Sequence, residues 1–343
     1  MKNIYDLTYN QLENLMLSIN EKKFKANQIY KWLYKKRVKD FSEMTDIKKS
    51  VIDFLNINYY IPDFKVVDKQ VSSDGTIKFL FELYDSKLIE TVLMKFDYGN
   101  SICVTTQVGC NMGCKFCASG LLKKQRDLTS GEIVAQLMKC LEHIDGQRID
   151  NIVVMGIGEP FDNYDNVLNF CHIINNNFGL AIGARHITIS TCGIAPMIKK
   201  FAAEKTQYNL AISLHAPNDE IRNQLMPINK AYNLDNLFDA LEYYCSICNR
   251  KITFEYIMLD GINDTDKCAL ELSKLSKRIH CYINLIGYNS VDEHGFLGSN
   301  HKRILKFYDI LKKNKVNVTI RNKVGDDIDA ACGQLRAKKE GII

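Results

Sequence analysis

With 343 residues, 46% apolar and 25% charged, the chain has an ordinary globular composition and is long enough for two or three domain-sized units. No apolar run approaches the ~20 residues of a membrane-spanning helix, and the N-terminus MKNIYDLTYNQLENL lacks the apolar segment of a secretion signal, so a cytoplasmic protein without a membrane partner is expected. The formal charge of +5 permits a nucleic-acid partner without requiring one; in a reducing compartment the twelve cysteines are expected as buried thiols, ligands or reactive groups rather than a disulfide framework.

Residues 1–60 read as helices, because YNQLENLMLSI, NQIYKWLYKKR and KKSVIDFLNI carry apolar residues at three- and four-residue intervals. Within them Lys22–Lys39 holds eight Lys or Arg and no acid, interleaved with Phe24, Tyr30, Trp32 and Tyr34. Such a run is either a solvated basic face, with Ile29, Trp32 and Leu33 packed inward, or an RNA contact in which cations displace counterions and aromatic rings stack on bases. Residues 61–98 alternate apolar and polar positions between the turn formers SSDG, YDS and DYGN, which predicts an antiparallel strand extension.

From residue 99 to the end, strands alternate with helices. The strands are ICVTTQ, NIVVMGI, HITISTC, YNLAISL, ITFEYIM, YINLIGY and VNVTIR, and helices are expected at 129–144, 164–177, 234–248, 266–278 and 300–313. Thr129 and Glu132 form a capping box at the first. This rhythm implies an α/β fold with a parallel sheet, and six or seven units suit a partial (β/α)6-type barrel better than a closed eightfold one. Ligands in such folds bind at the carboxyl ends of the strands, where GIGEP (156–160), STCG (190–193), SLHAP (213–217) and GYNS (287–290) collect. GIGEP lacks the third glycine of a dinucleotide fingerprint. Glu159 is either a ligand for an ammonium or hydroxyl group or an exposed residue of a tight turn.

The first strand leads into VGCNMGCKFCASG, which sets Cys110, Cys114 and Cys117 at C-x3-C-x2-C spacing. Three ligands are one short of a tetrahedral zinc site or a closed four-iron cluster. Zinc with a distant fourth ligand, Cys103 or His215, is one reading; a [4Fe-4S] cluster with one iron left open for a cofactor is the other. The second C-x2-C pair, Cys245 and Cys248, lies in a helical pattern and is read as packing thiols.

The spacing CNMGCKFC resembles the radical S-adenosylmethionine (SAM) superfamily, in which SAM occupies the open iron. Taken with GEPFDN, HITISTCGI, ISLHAP and GDDIDAACGQL, it resembles the RlmN family over nearly the whole chain. That resemblance implies a 23S rRNA and tRNA methyltransferase acting at C2 of adenosine, with a [4Fe-4S] cluster and two SAM per turnover. It also implies an electron donor such as flavodoxin or ferredoxin.

The resemblance gives the residues roles. Cys332 would carry the methyl group as S-methylcysteine, Cys103 would form a transient disulfide with it, and Glu90 would accept the C2 proton. SAM would be bound by Gly158, Glu159, Ser190, Ser213, Leu214, His215 and Asn289, and the basic N-terminal segment would contact RNA. Pro160 and the pair Asp326–Asp327 favour this family over the related Cfr type, which methylates C8 of the same adenosine. The loop NLIGYNS lacks two prolines usual in the family, which removes a source of stiffness there. A monomer is expected. A radical SAM enzyme of another kind would have no use for Cys332, and a more distant alternative is a metal-stabilised RNA-binding protein without catalysis.

Overall fold

The computed structural model describes residues 1–144, 146–289, 295–321, 324–329 and 331–342. Its centre is a ten-stranded sheet in which seven parallel strands are continued by three antiparallel ones. The parallel strands are β6 (Gly99–Cys103), β9 (Ile149–Val154), β10 (Ile187–Thr191), β11 (Asn209–Ser213), β12 (Ile252–Met258), β13 (Cys281–Gly287) and β14 (Val318–Arg321), each paired with the next. The antiparallel part, β3 (Lys65–Val71), β4 (Ile77–Glu82) and β5 (Leu88–Phe96), joins through β5–β6. β14 and β3 are the two free ends of the hydrogen-bonded order, so the barrel is partial. Two short pairs complete the strands: β1 (Lys2–Asn3) with β2 (Tyr59–Tyr60), and β7 (Gln107–Val108) with β8 (Arg126–Asp127).

The barrel helices are α4 (Ser130–Cys140), α5 (Tyr164–Asn175), α6 (Ala195–Ala203), α7 (Asp219–Leu225), α8 (Leu234–Cys248), α9 (Asp266–Leu275) and α10 (His301–Lys313), with α11 (Gln334–Lys339) near the C-terminus. Their limits follow local chemistry. The expected capping box closes on α4, where Thr129 accepts from Glu132 N–H and Glu132 accepts from Thr129 N–H. Asn233 caps α8, and Asn249 ends it in the left-handed region at φ 47°. The first strand stops at Cys103 rather than running through Gln107. The buried Gln136 side chain takes over there, accepting from Thr105 N–H and donating to Thr105 C=O. No helix among the described residues is long and apolar enough to cross a membrane.

The N-terminal helices α1 (Tyr9–Ser18), α2 (Phe24–Lys31) and α3 (Lys49–Asn58) share the main core with the barrel. Tyr30 and Tyr34 are buried and pack against Gly179, in the connection between α5 and β10. The two readings of the basic run therefore divide. Ile29 and Leu33 point inward as expected, and Tyr30 and Tyr34 are core residues with no face free for a base. Trp32 is half-buried, tied to Asp46 and covered by the Lys36 ammonium, so Phe24 is the exposed ring of the four. Lys22, Lys23, Lys31, Lys35, Lys36, Arg37 and Lys39 are all exposed.

Candidate active site

A cavity of about 280 Å³ opens at the carboxyl end of the barrel, between the cysteine loop, the C-terminal segment and the sheet. Its walls bring together Cys117 and Phe116 of the cysteine loop, Cys103 of β6, Asn289, Arg321 and Cys332. The lining is mostly apolar with a few converging polar groups, as small-molecule sites are.

Cys110, Cys114 and Cys117 lie on a loop fixed at both ends. Cys110 N–H donates to Leu122 C=O (2.7 Å), and Lys115 N–H donates to Leu225 C=O at the end of α7 (2.9 Å). Gly109, at φ +86°, runs so close to Lys123 that any Cβ would stand 2.1 Å from its carbonyl oxygen. Burial raises all three thiols, Cys110 to about 12 and Cys114 and Cys117 also upward, with the Cys117 charge adding at Cys110 and Cys114 and the Cys332 charge adding at Cys117. Such a trio needs a positive partner to ionise. Among the described residues no three ligating side chains close on a point that could hold a single metal ion. Of the two fourth zinc ligands considered, His215 is engaged elsewhere, its Nδ1 accepting from Ile257 N–H (3.1 Å), and Cys103 lines the cavity with Cys332. Three soft donors on one short loop, of which Cys117 lines the cavity, fit an iron–sulfur cluster.

Cys332 is the centre of the far wall. Its thiol donates to Met155 C=O (3.2 Å) and shares the cavity lining with Cys103, and both are free thiols. The neighbouring Cys332 thiol holds Cys103 below the ordinary thiol range against the opposing effect of burial, helped by the nearby charges of Arg321 and Lys78. Cys103 and burial push Cys332 well up.

Of the strand-end loops, the one after β13 lines this cavity, through Tyr288 and Asn289, whereas those carrying Glu159, Ser190 and His215 lie outside its lining. Glu159 is buried rather than exposed in a turn, accepting from Phe161 N–H (2.9 Å) and Cys192 N–H (2.8 Å); burial raises its carboxyl. The glycines of GIGEP allow close approach to the chain itself. A Cβ on Gly158, at φ +109°, would stand 2.7 Å from Gln107 Cβ, and one on Gly156 would stand 2.6 Å from Val104 C=O. Ser190 is buried one residue before the end of β10, and Leu214 N–H and His215 N–H both donate to Glu255 C=O. Asn289 lines the cavity; Ser290 of the same loop lies outside the described residues, as do Asn322, Lys323 and Ala330 of the C-terminal motif.

Glu90 is buried and, like Cys110, Cys114, Gly158, Glu159, Ser190, Ser213, Leu214 and His215, is not part of the cavity lining. Its carboxylate pairs with the buried Lys78 ammonium (2.8 Å) and accepts from Gly333 N–H (2.7 Å) and Arg336 N–H (2.6 Å). Two residues that matter here escape sequence reading. Lys78 sits in IKFLFE, and a lysine within so apolar a strand is a signal of a buried partner. Arg222 of α7 is fully buried and donates to Cys192 C=O (2.7 Å), Leu214 C=O (3.2 Å) and Asn229 (2.7 Å), tying the loops after β10 and β11 together.

Comparison with known proteins agrees with this geometry. Residues 104–272 match the radical SAM superfamily, and residues 2–61 match the ribosomal RNA large subunit methyltransferase N-terminal domain. A probable dual-specificity RNA methyltransferase RlmN of Streptococcus thermophilus is 58% identical over 341 residues, covering 97% of this chain and 88% of that protein. One from Listeria welshimeri is 55% identical over 343 residues, covering 98% and 94%. The crystal structure of a radical SAM methyltransferase from Sphaerobacter thermophilus superposes with a TM-score of 0.92 at 38% identity, covering 97% of this chain and 99% of that one.

Proposed function

The chain belongs to the RlmN family of radical SAM RNA methyltransferases, and we propose that it methylates C2 of an adenosine in 23S rRNA and in tRNA through a methylated Cys332. The observation that carries this reading is that Cys103 and Cys332 line one cavity together with Cys117. A methyl carrier and a resolving thiol must meet, and residues from opposite ends of the barrel domain do so here.

Cys110, Cys114 and Cys117 would hold the [4Fe-4S] cluster, and Gly158, Glu159, Ser190, Ser213, Leu214, His215 and Asn289 would surround SAM, two molecules being used per turnover. When bound, cluster and SAM together supply the one-electron chemistry that makes a methyl group reactive enough for an electron-poor carbon. One hydrogen of the Cys332 S-methyl group would pass to the radical that cluster and SAM supply; the carbon then bonds to C2, the C2 hydrogen leaves as a proton and the surplus electron is returned, so that RNA is briefly joined to the protein. The Cys103 thiolate then attacks the Cys332 sulfur; the S–C bond breaks with its electron pair on the former methyl carbon, which takes up a proton, an S–S bond forms, and the methylated base leaves. The apolar lining keeps water from the reacting carbon.

Glu90 serves as proton acceptor in this scheme only once Gly333 and Arg336 release it, because both of its oxygens are occupied by their amides and the Lys78 ammonium. Residues 1–60 act as the RNA-contacting unit through the exposed lysines of Lys22–Lys39, 61–98 as a strand extension, and 99–343 as the catalytic barrel. The protein works in the cytoplasm as a monomer and draws electrons from a flavodoxin- or ferredoxin-like donor. Replacement of either thiol tests the scheme. Cys332→Ala is expected to cleave SAM without methylating RNA, and Cys103→Ala to accumulate protein covalently bound to RNA. Wild-type methylation by either variant would overturn it.

A further inference from the structure

Cys332 belongs to a segment with little secondary structure of its own, yet its backbone is held from both sides by one buried ion pair. Lys78 of β4 is fully buried, and its three ammonium protons have three acceptors: Glu90 (2.8 Å), Ala331 C=O (2.7 Å) and Asp329 C=O. Glu90 of β5 is the diagonal neighbour of Lys78 across the strand pair, since Lys78 opposes Val92 and Leu80 opposes Glu90. Its two oxygens accept the amides of Gly333 (2.7 Å) and Arg336 (2.6 Å). One ion pair thus grips the carbonyls just before Cys332 and the amides just after it. The β3–β4 hairpin, on the other side of β4, continues the seam. Gln70 exchanges two hydrogen bonds with Asp329, Asp327 accepts from Ser72 and from Ser73 N–H (2.9 Å), and Gly325 N–H donates to Asp74 (2.8 Å).

A buried ion pair is a poor way to gain stability, because desolvation offsets most of the attraction and an apolar pair packs as well. This one spends its remaining hydrogen-bonding capacity on the main chain around a single cysteine. The gain is position. Main-chain hydrogen bonds fix the segment along its length, which an apolar plug would not, and they can be exchanged for water when the segment must move.

We propose that Lys78, acting with Glu90, is a positioning residue of the reaction: the pair forms a buried clamp that sets the Cys332 sulfur against Cys103 and the cysteine loop. This rests on reading Cys332 as the methyl carrier. In the scheme above, the clamp also couples two events, since the segment's release is what frees Glu90.

The test uses the full-length reconstituted enzyme, handled anaerobically, as wild type, Lys78→Met and Lys78→Arg. Three quantities are read: amide exchange at Gly333 and Arg336, the rate of Cys332 alkylation against Cys245 as an internal reference, and methylated RNA formed per SAM cleaved. In Lys78→Met, exchange and alkylation are expected to rise at least about tenfold, and methylation per SAM cleaved to fall by about tenfold or more, with SAM cleavage itself within about threefold of wild type. General damage would lower cleavage and methylation together. Lys78→Arg, which keeps the charge and the donors, is expected to recover most of the coupling. If Lys78→Met also loses protection in α8, Lys78→Gln, which keeps a donor, carries the comparison. Unchanged alkylation and coupling in Lys78→Met, or no recovery in Lys78→Arg, would overturn the clamp. RNA methylation by Cys332→Ala would instead overturn the methyl-carrier reading and leave the exchange and alkylation results standing.

Discussion

His215 is the residue whose protonation the fold resists most plainly. It sits at φ +55° between β11 and α7, buried, with Nδ1 accepting from Ile257 N–H (3.1 Å) and the ring edge-on to Phe116. Burial, with the nearby Arg222 charge second, pushes its pKa down from 6.5 to about 3. The folded protein therefore keeps the ring neutral where the unfolded chain takes up a proton. Stability from this group is complete above pH 6.5 and is lost as the pH falls from there towards 3, at up to about 1.4 kcal/mol per pH unit. Between pH 7 and pH 5 this amounts to about 2 kcal/mol. His215→Asn keeps an acceptor at the Nδ1 position and tolerates the left-handed backbone, but it cannot titrate. Urea unfolding at pH 7 and pH 5 is expected to show the wild type losing about 2 kcal/mol more than His215→Asn over this interval. Equal losses in the two proteins would refute the reasoning, because the pH dependence would then lie in other groups.

Other expectations follow from the same geometry. Gly158→Ala forces a Cβ to 2.7 Å from Gln107 Cβ at φ +109°; overpacking and backbone strain together are expected to cost about 2–4 kcal/mol, read as a fall in Tm of a few degrees. Gly261→Ala, with open space around it, is expected to cost only the backbone term, about 1 kcal/mol. Cys114→Ala should yield folded protein without the brown absorbance or bound iron of the reconstituted wild type, checked by circular dichroism and iron analysis. Replacing Lys31, Lys35 and Lys36 with Ala should weaken RNA binding at low salt and reduce the slope of log affinity against log salt by about 0.7–0.9 for each phosphate no longer neutralised.

What the sequence discloses and what it hides divide along the range of the interactions involved. ITFEYIM and the helix at 234–248 coincide with β12 and α8, because apolar patterning and Asn caps act within a few residues. The loops at the strand ends likewise carry their glycines and polar residues where the barrel needs them. By contrast α6 and α7 are short, at nine and seven residues, so that few turns are available to display a period and tertiary packing sets them. Glu159 could be read as a surface turn residue because nothing nearby announces the Cys192 amide that it accepts. Tyr30 and Tyr34 resemble RNA-stacking rings in sequence and turn out to be core, since their partner Gly179 lies far along the chain. The clamp is the extreme case: Lys78 meets the backbone of residues 329 and 331 across more than 250 positions, and no local pattern encodes that meeting.

The central claim is that this site methylates adenosine at C2, and the most direct measurement is nucleoside mass spectrometry. An unmodified 23S rRNA fragment and an unmodified tRNA, treated anaerobically with reconstituted enzyme, SAM and a reductant, would be digested and compared with 2- and 8-methyladenosine standards. The account predicts 2-methyladenosine from both RNAs, absent with Cys332→Ala. Formation of 8-methyladenosine instead, or SAM cleavage with neither product, would contradict it.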